Sequence, residues 1–245
     1  MYQEESGTPE DFSDTRPRPF SQVPGLWLKV TSMTEDFFAQ EAPRASGANA
    51  LISVMILAVV TAAFYTVSTL LGGGIEMVTM PAVYEDVEAI PLLGLFVGMG
   101  LYSACCGLII TPIGFYIGNG LIYLGARIFG GSGGFSTQVY LQSLFAVPLG
   151  IVTSVLSLIY LIPILGGCIG GIAMLVLAIY YFVLNVRAVK VTHDLTTGRA
   201  VGAIFAPALL LLLVPCLVIV VLALLGPAIG NVFSNIIEGI GTPVP

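Results

Sequence analysis

Charge is scarce in this sequence: 9% of its 245 residues are Asp, Glu, Lys or Arg, while 57% are hydrophobic. A soluble domain carries roughly 25% charged residues, and a water-exposed fold could not hide this much apolar surface. Cysteine and histidine are scarce too. Cys105 and Cys106 are adjacent, Cys168 and Cys216 stand apart in apolar runs, and His193 is the one histidine. No zinc or iron–sulfur spacing results, and no cofactor or metal is expected. No nucleophile stands with a base and no carboxylates gather around the histidine, so the chain reads as non-enzymatic. Eight basic residues face fourteen acidic ones. With no basic stripe and no interleaved aromatics, this balance argues against nucleic acid as a partner. The first 47 residues lack the apolar core of a secretory signal, so the first membrane segment reads as a retained anchor.

What remains is long runs of Leu, Ile, Val and Ala without two-residue alternation. Lipid supplies no hydrogen-bond partners, so a spanning backbone must close its own bonds as helices or a barrel, and unbroken apolar runs select helices. The expected fold is all-α: a polytopic bundle of five membrane-spanning helices with interfacial amphipathic helices.

Residues 1–23 form an acidic tail expected to be disordered. In 24–47, Leu26, Val30, Met33 and Phe37 recur at helical spacing, with Trp27 and Phe38 beside them. Leu26, Trp27, Val30, Phe37 and Phe38 are therefore candidate membrane-interface residues, the alternative being a helix packed against the membrane domain. The membrane domain is 48–226. Its first crossing, 49–71, is uncharged and ends at Gly72, Gly73 and Gly74. Glu76, Glu85, Asp86 and Glu88 follow without a base, as in an external loop.

The apolar stretch 90–129 is long enough for two thin crossings. Placing Arg127 in the cytoplasm requires an odd number, so one crossing is assigned to 107–128 and 91–106 becomes an outer elbow or re-entrant helix. Crossings at 139–162, 168–186 and 201–225 complete the count. The N-terminus is then cytoplasmic and the C-terminus external, where Phe233 and Ile237 lie on the apolar face of an interfacial segment, 227–245.

Apart from Arg127 at the cytoplasmic end of 107–128, none of these crossings carries Asp, Glu, Lys, Arg or His, which argues against an ion-coupled transporter. Asn119, Gln142 and Asn185 suit interhelical hydrogen bonds. Gly114 with Gly118 and Gly166 with Gly170 stand at the spacing that lets helices approach closely, within the chain or between copies. The glycine-rich stretch 130–134 has no Gly-Lys-Ser/Thr and no upstream strand, so it reads as a turn and not a phosphate cradle.

The order of landmarks resembles the Yip domain family, whose eukaryotic members interact with Rab-type GTPases in vesicle traffic. The resemblance rests on Leu26-Trp27-Leu28-Lys29-Val30-Thr31-Ser32 leading to Phe37-Phe38 and on Gly130-Gly131-Ser132-Gly133-Gly134-Phe135-Ser136. Ala146-Val147-Pro148 and the loop bearing Arg187, Lys190, His193 and Arg199 complete it. It implies a five-helix plan with the N-terminus inside, the plan that charge parity reaches separately, and it makes those four loop residues candidate contacts. The acidic Tyr-Gly-Pro signature of the eukaryotic members is missing, so Rab binding is not carried over. The absence of an Asn-x-Ser/Thr sequon leans toward a prokaryotic plasma membrane. The function expected is a membrane-organising scaffold or an accessory subunit, in contact with the lipid bilayer and with a membrane-protein partner or further copies of itself. The alternative is a passive channel or permease for a small solute.

Overall fold

A computed structural model describes residues 16–79, 89–162 and 166–241. The expected external loop at 80–88, most of the outer turn at 163–167 and residues 1–15 lie outside these. Among the described residues the chain is helical, without a strand, as expected. Two short helices, α1 (Val23–Trp27) and α2 (Glu35–Glu41), precede the long ones: α3 (Gly47–Thr79), α4 (Ala89–Ile128), α5 (Phe135–Ser157), α6 (Gly171–His193) and α7 (Thr197–Gly241). Four helices among the described residues are long and apolar enough to cross a membrane, and Pro215–Gly226 of α7 is a shorter apolar helix. The protein is a multi-pass membrane protein.

Three expected breaks do not occur. α3 runs on through Gly72, Gly73 and Gly74 to Thr79. A Cβ on Gly73 would sit 2.6 Å from the Phe96 ring carbon Cγ, so this glycine serves the close packing of α3 on α4. Residues 91–106 and 107–128 are likewise one helix of 40 residues, about 60 Å long at 1.5 Å per residue. That is twice the roughly 30 Å hydrocarbon core. Pro112 lies inside it; its missing N–H costs one hydrogen bond and does not end a helix in lipid. α7 similarly continues past position 227 to Gly241, so the segment holding Phe233 and Ile237 is helical and continuous with the preceding one.

The chain is folded before the predicted helix begins. Arg18 and Phe20, placed in the tail by composition, join the structure: Phe20 packs against the main core and Arg18 is ion-paired with Glu41. That core joins Val23 and Leu26 of α1, Met33, and Phe38 of α2 to Tyr140, Leu141, Leu144 and Phe145 of α5 and Leu184 and Ala188 of α6. A second cluster joins Ala126 of α4, Val189 of α6 and Ala200 and Ala203 of α7.

Candidate functional site

The loop after α6 and the segment before α3 meet at one end of the bundle. α2 starts under an N-cap, Thr34, whose Oγ1 accepts from the Phe37 N–H at 3.4 Å, and Glu35 and Asp36 place negative charge in its first turn. At its other end Glu41, 3% exposed, accepts from the Arg18 guanidinium through both carboxylate oxygens. The Tyr140 hydroxyl donates to the same carboxylate at 3.3 Å. Asn49 at the start of α3 donates from Nδ2 to the Arg18 carbonyl at 2.6 Å. A buried carboxylate is tolerable only when paired and hydrogen-bonded in this way.

α6 reaches the same segment from below. The Tyr180 hydroxyl donates to the Val30 carbonyl at 2.6 Å, Arg187 to the Met33 carbonyl at 3.0 Å, and Lys190 pairs with Glu35 at 2.7 Å. His193 at the helix end is buried, its Nε2 2.7 Å from Gln138 Oε1. Gln138 Nε2 donates to the Asn119 carbonyl at 2.9 Å, which leaves its oxygen toward the imidazole and makes Nε2 the protonated ring nitrogen. One chain of bonds thus ties α4, α5 and α6 together.

The turn 130–134 closes this end. Gly130 has φ +89°, a conformation that glycine adopts without strain. A Cβ on Gly131 would lie 2.8 Å from His193 Cβ, and one on Gly133 would strike the Thr192 carbonyl. The Ser132 N–H donates to the His193 carbonyl at 3.2 Å. These glycines dock a turn on a helix end.

The four loop candidates therefore separate. Arg187 and His193 face inward and hold the segment and the turn, Lys190 reaches Glu35 at the surface, and Arg199, in the first turn of α7, is exposed. The interface candidates separate as well. Leu26 and Phe38 lie in the protein core, where Phe38 meets Phe145 edge-on at 6.1 Å; Trp27, Val30 and Phe37 are half-buried around it. This corrects the lipid-facing expectation for Leu26 and Phe38: their apolar face is covered by α5 and α6. Leu28, not singled out in the sequence, is 87% exposed. The side chains of Phe233 and Ile237 lie outside those described.

Among the glycine pairs, a Cβ on Gly114 or Gly118 would meet nothing within 4 Å among the described residues, so neither serves a close contact with them. A Cβ on Gly166 would strike the Ile159 carbonyl and one on Gly170 would lie 3.0 Å from the Tyr160 ring, so these two glycines fold the α5–α6 hairpin. The close approach of α4 to α7 is instead at Gly125, where a Cβ would strike the Ala203 carbonyl. Spacing alone does not single that residue out.

All eight Lys and Arg of the sequence belong to this end: Arg16, Arg18, Lys29 and Arg44 in the leading segment, Arg127 at the end of α4, and Arg187, Lys190 and Arg199 around the α6–α7 turn.

Residues 32–220, well over half of the chain, match the model of the Yip1 domain. The chain belongs to the Yip1 domain family. No curated protein and no solved structure matches it. Within this Yip1 protein, the matched stretch holds α2 and most of the long helices, while Arg18, Val23 and Leu26 precede it. Pairing Arg18 with Glu41 and packing Val23 and Leu26 against Tyr140 and Leu144 thus joins a leading segment to the Yip1 domain.

Proposed function

We propose that this Yip1 protein works without chemistry of its own, as a scaffold that organises membrane or as an accessory subunit that holds a membrane complex together. The docking face is the folded end that gathers the basic residues. The supporting observation is how the inner polar groups are used: Gln142 Nε2 donates to Asn185 Oδ1 at 3.1 Å, and Gln138 joins Asn119 and His193. Each bond joins one helix to another, which suits a rigid support better than a pore lined by polar groups facing water.

The gathering of Lys and Arg at one end supports a cytoplasmic platform under the positive-inside rule, with the N-terminus inside and the C-terminus outside a prokaryotic plasma membrane. Arg127→Cys, in a background free of other cysteines, should resist a membrane-impermeant thiol reagent added outside intact cells. Labelling from outside would overturn this orientation.

Gentle detergent extraction from the native membrane, followed by mass spectrometry against a matched membrane protein, should recover a stoichiometric partner. Recovery of the protein alone, together with solute flux in proteoliposomes, would overturn the scaffold in favour of a passive channel.

A further inference from the structure

In the half of the bundle farther from the leading segment, α3, α4, α5 and α6 do not close on one another. They leave a half-open cleft of about 650 Å³, within the roughly 300–1,000 Å³ of ligand sites. Gly150 marks where α5 meets α3: a Cβ there would be 2.6 Å from Leu57 Cδ1. Beyond that contact the short side chains of Ser154 on α5 and Ala178 on α6 leave the space unfilled.

The chemistry of the wall identifies what can occupy it. Among the described residues, none that lines the cleft is charged. Its four aliphatic hydroxyls donate within their own helices: Thr61 to the Leu57 carbonyl at 2.9 Å, Thr153 to Leu149 at 2.8 Å, Ser154 to Gly150 at 2.9 Å and Ser157 to Ser154 at 2.7 Å. The rest of the wall is mainly aliphatic and aromatic, with Leu149, Leu177, Phe64 and Phe115 among it. An ion or polar solute would give up its water here for little in return, whereas a hydrocarbon chain loses nothing.

The helices forming the rim carry exposed Val59, Val155, Ile172 and Val176, apolar faces suited to bilayer chains. A second transmembrane helix, about 10 Å across, would find room for fewer than about two turns. We propose that the cleft seats an acyl chain of a bilayer phospholipid. This goes beyond the scaffold reading and does not depend on which protein partner that reading finds.

The test uses the full-length protein in phosphatidylcholine vesicles doped with phosphatidylcholine bearing a diazirine on its acyl chain. After irradiation, adducts are mapped by mass spectrometry. Adducts are expected on cleft residues such as Thr153 and Leu177 as well as on the outward Val155 and Ile172. Ala178→Trp, which fills the cleft from an exposed position, should lower the cleft adducts several-fold and leave the outward ones unchanged. Outward adducts alone on the unsubstituted protein would overturn the proposal, as would cleft adducts that persist in a folded Ala178→Trp protein. Should that variant fail to elute as a single species, Ser154→Leu fills the same space from α5, and the unsubstituted protein's pattern stands as an independent reading.

Discussion

α5 and α6 run the length of the bundle but meet different surroundings at their two ends. At the end near the leading segment, Tyr140, Leu144 and Phe145 of α5 and Leu184 of α6 are fully buried, with the Tyr140 hydroxyl bonded to Glu41 and Gln142 bonded to Asn185. Farther along, Thr153 and Ser154 of α5 and Met174 and Ala178 of α6 border a cleft. The same two helices are thus held firmly at one end and loosely at the other. The difference comes from the leading segment: it contributes Val23, Leu26, Met33 and Phe38 to the near core and nothing to the far half.

Removing the charge at the centre of the near end should have the largest effect. Glu41→Ala leaves the Arg18 guanidinium without its buried carboxylate, the two side chains being 5% and 9% exposed. A loss of about 3–5 kcal/mol is expected, read as a lower unfolding midpoint in detergent and as new proteolytic cleavage within 16–46. Next comes a direct contrast between the ends. Leu144→Ala opens a hole in a filled core and should cost about 2–5 kcal/mol. Met174→Ala, on the cleft wall, should cost clearly less, because its surroundings are already incomplete. Equal losses in thermal unfolding would erase the distinction.

Smaller effects sharpen the same picture. Gln142→Leu strands the Asn185 amide and should cost about 1–3 kcal/mol, whereas Gln142→Leu with Asn185→Leu should recover part of that loss. A double-mutant cycle in detergent measures the coupling. Lys190→Met removes the ion pair with Glu35, whose side chains are 30% and 46% exposed. Less than about 1 kcal/mol is expected, falling further in high salt.

Apolar run length was enough to read the fold class, and the landmarks from Leu26 through Arg199 carried the family. Less legible was what each apolar face touches. Helical spacing marks Leu26 and Phe38 as one side of a helix, but a face that meets lipid and a face that meets α5 have the same composition. The folded end could be found only by knowing that Glu41 and Tyr140, far apart in sequence, share a hydrogen bond. Glycine was ambiguous for a related reason. Gly72 to Gly74 read as a stop signal because a missing Cβ weakens a helix in water, yet in lipid the backbone has no better partner than itself and the helix continues. Gly114 and Gly118 have the spacing of a packing pair and no neighbour among the described residues, while Gly125 has the neighbour and no pattern.

The central claim is that the leading segment is a fixed part of the membrane domain. It is tested most directly by electron–electron resonance between spin labels at Leu28→Cys and Arg199→Cys, both exposed positions. The four native cysteines are replaced first, and the protein is measured in liposomes. A single narrow distance distribution that broadens in the Glu41→Ala background is the predicted result; a broad distribution in the otherwise unaltered protein would contradict the account.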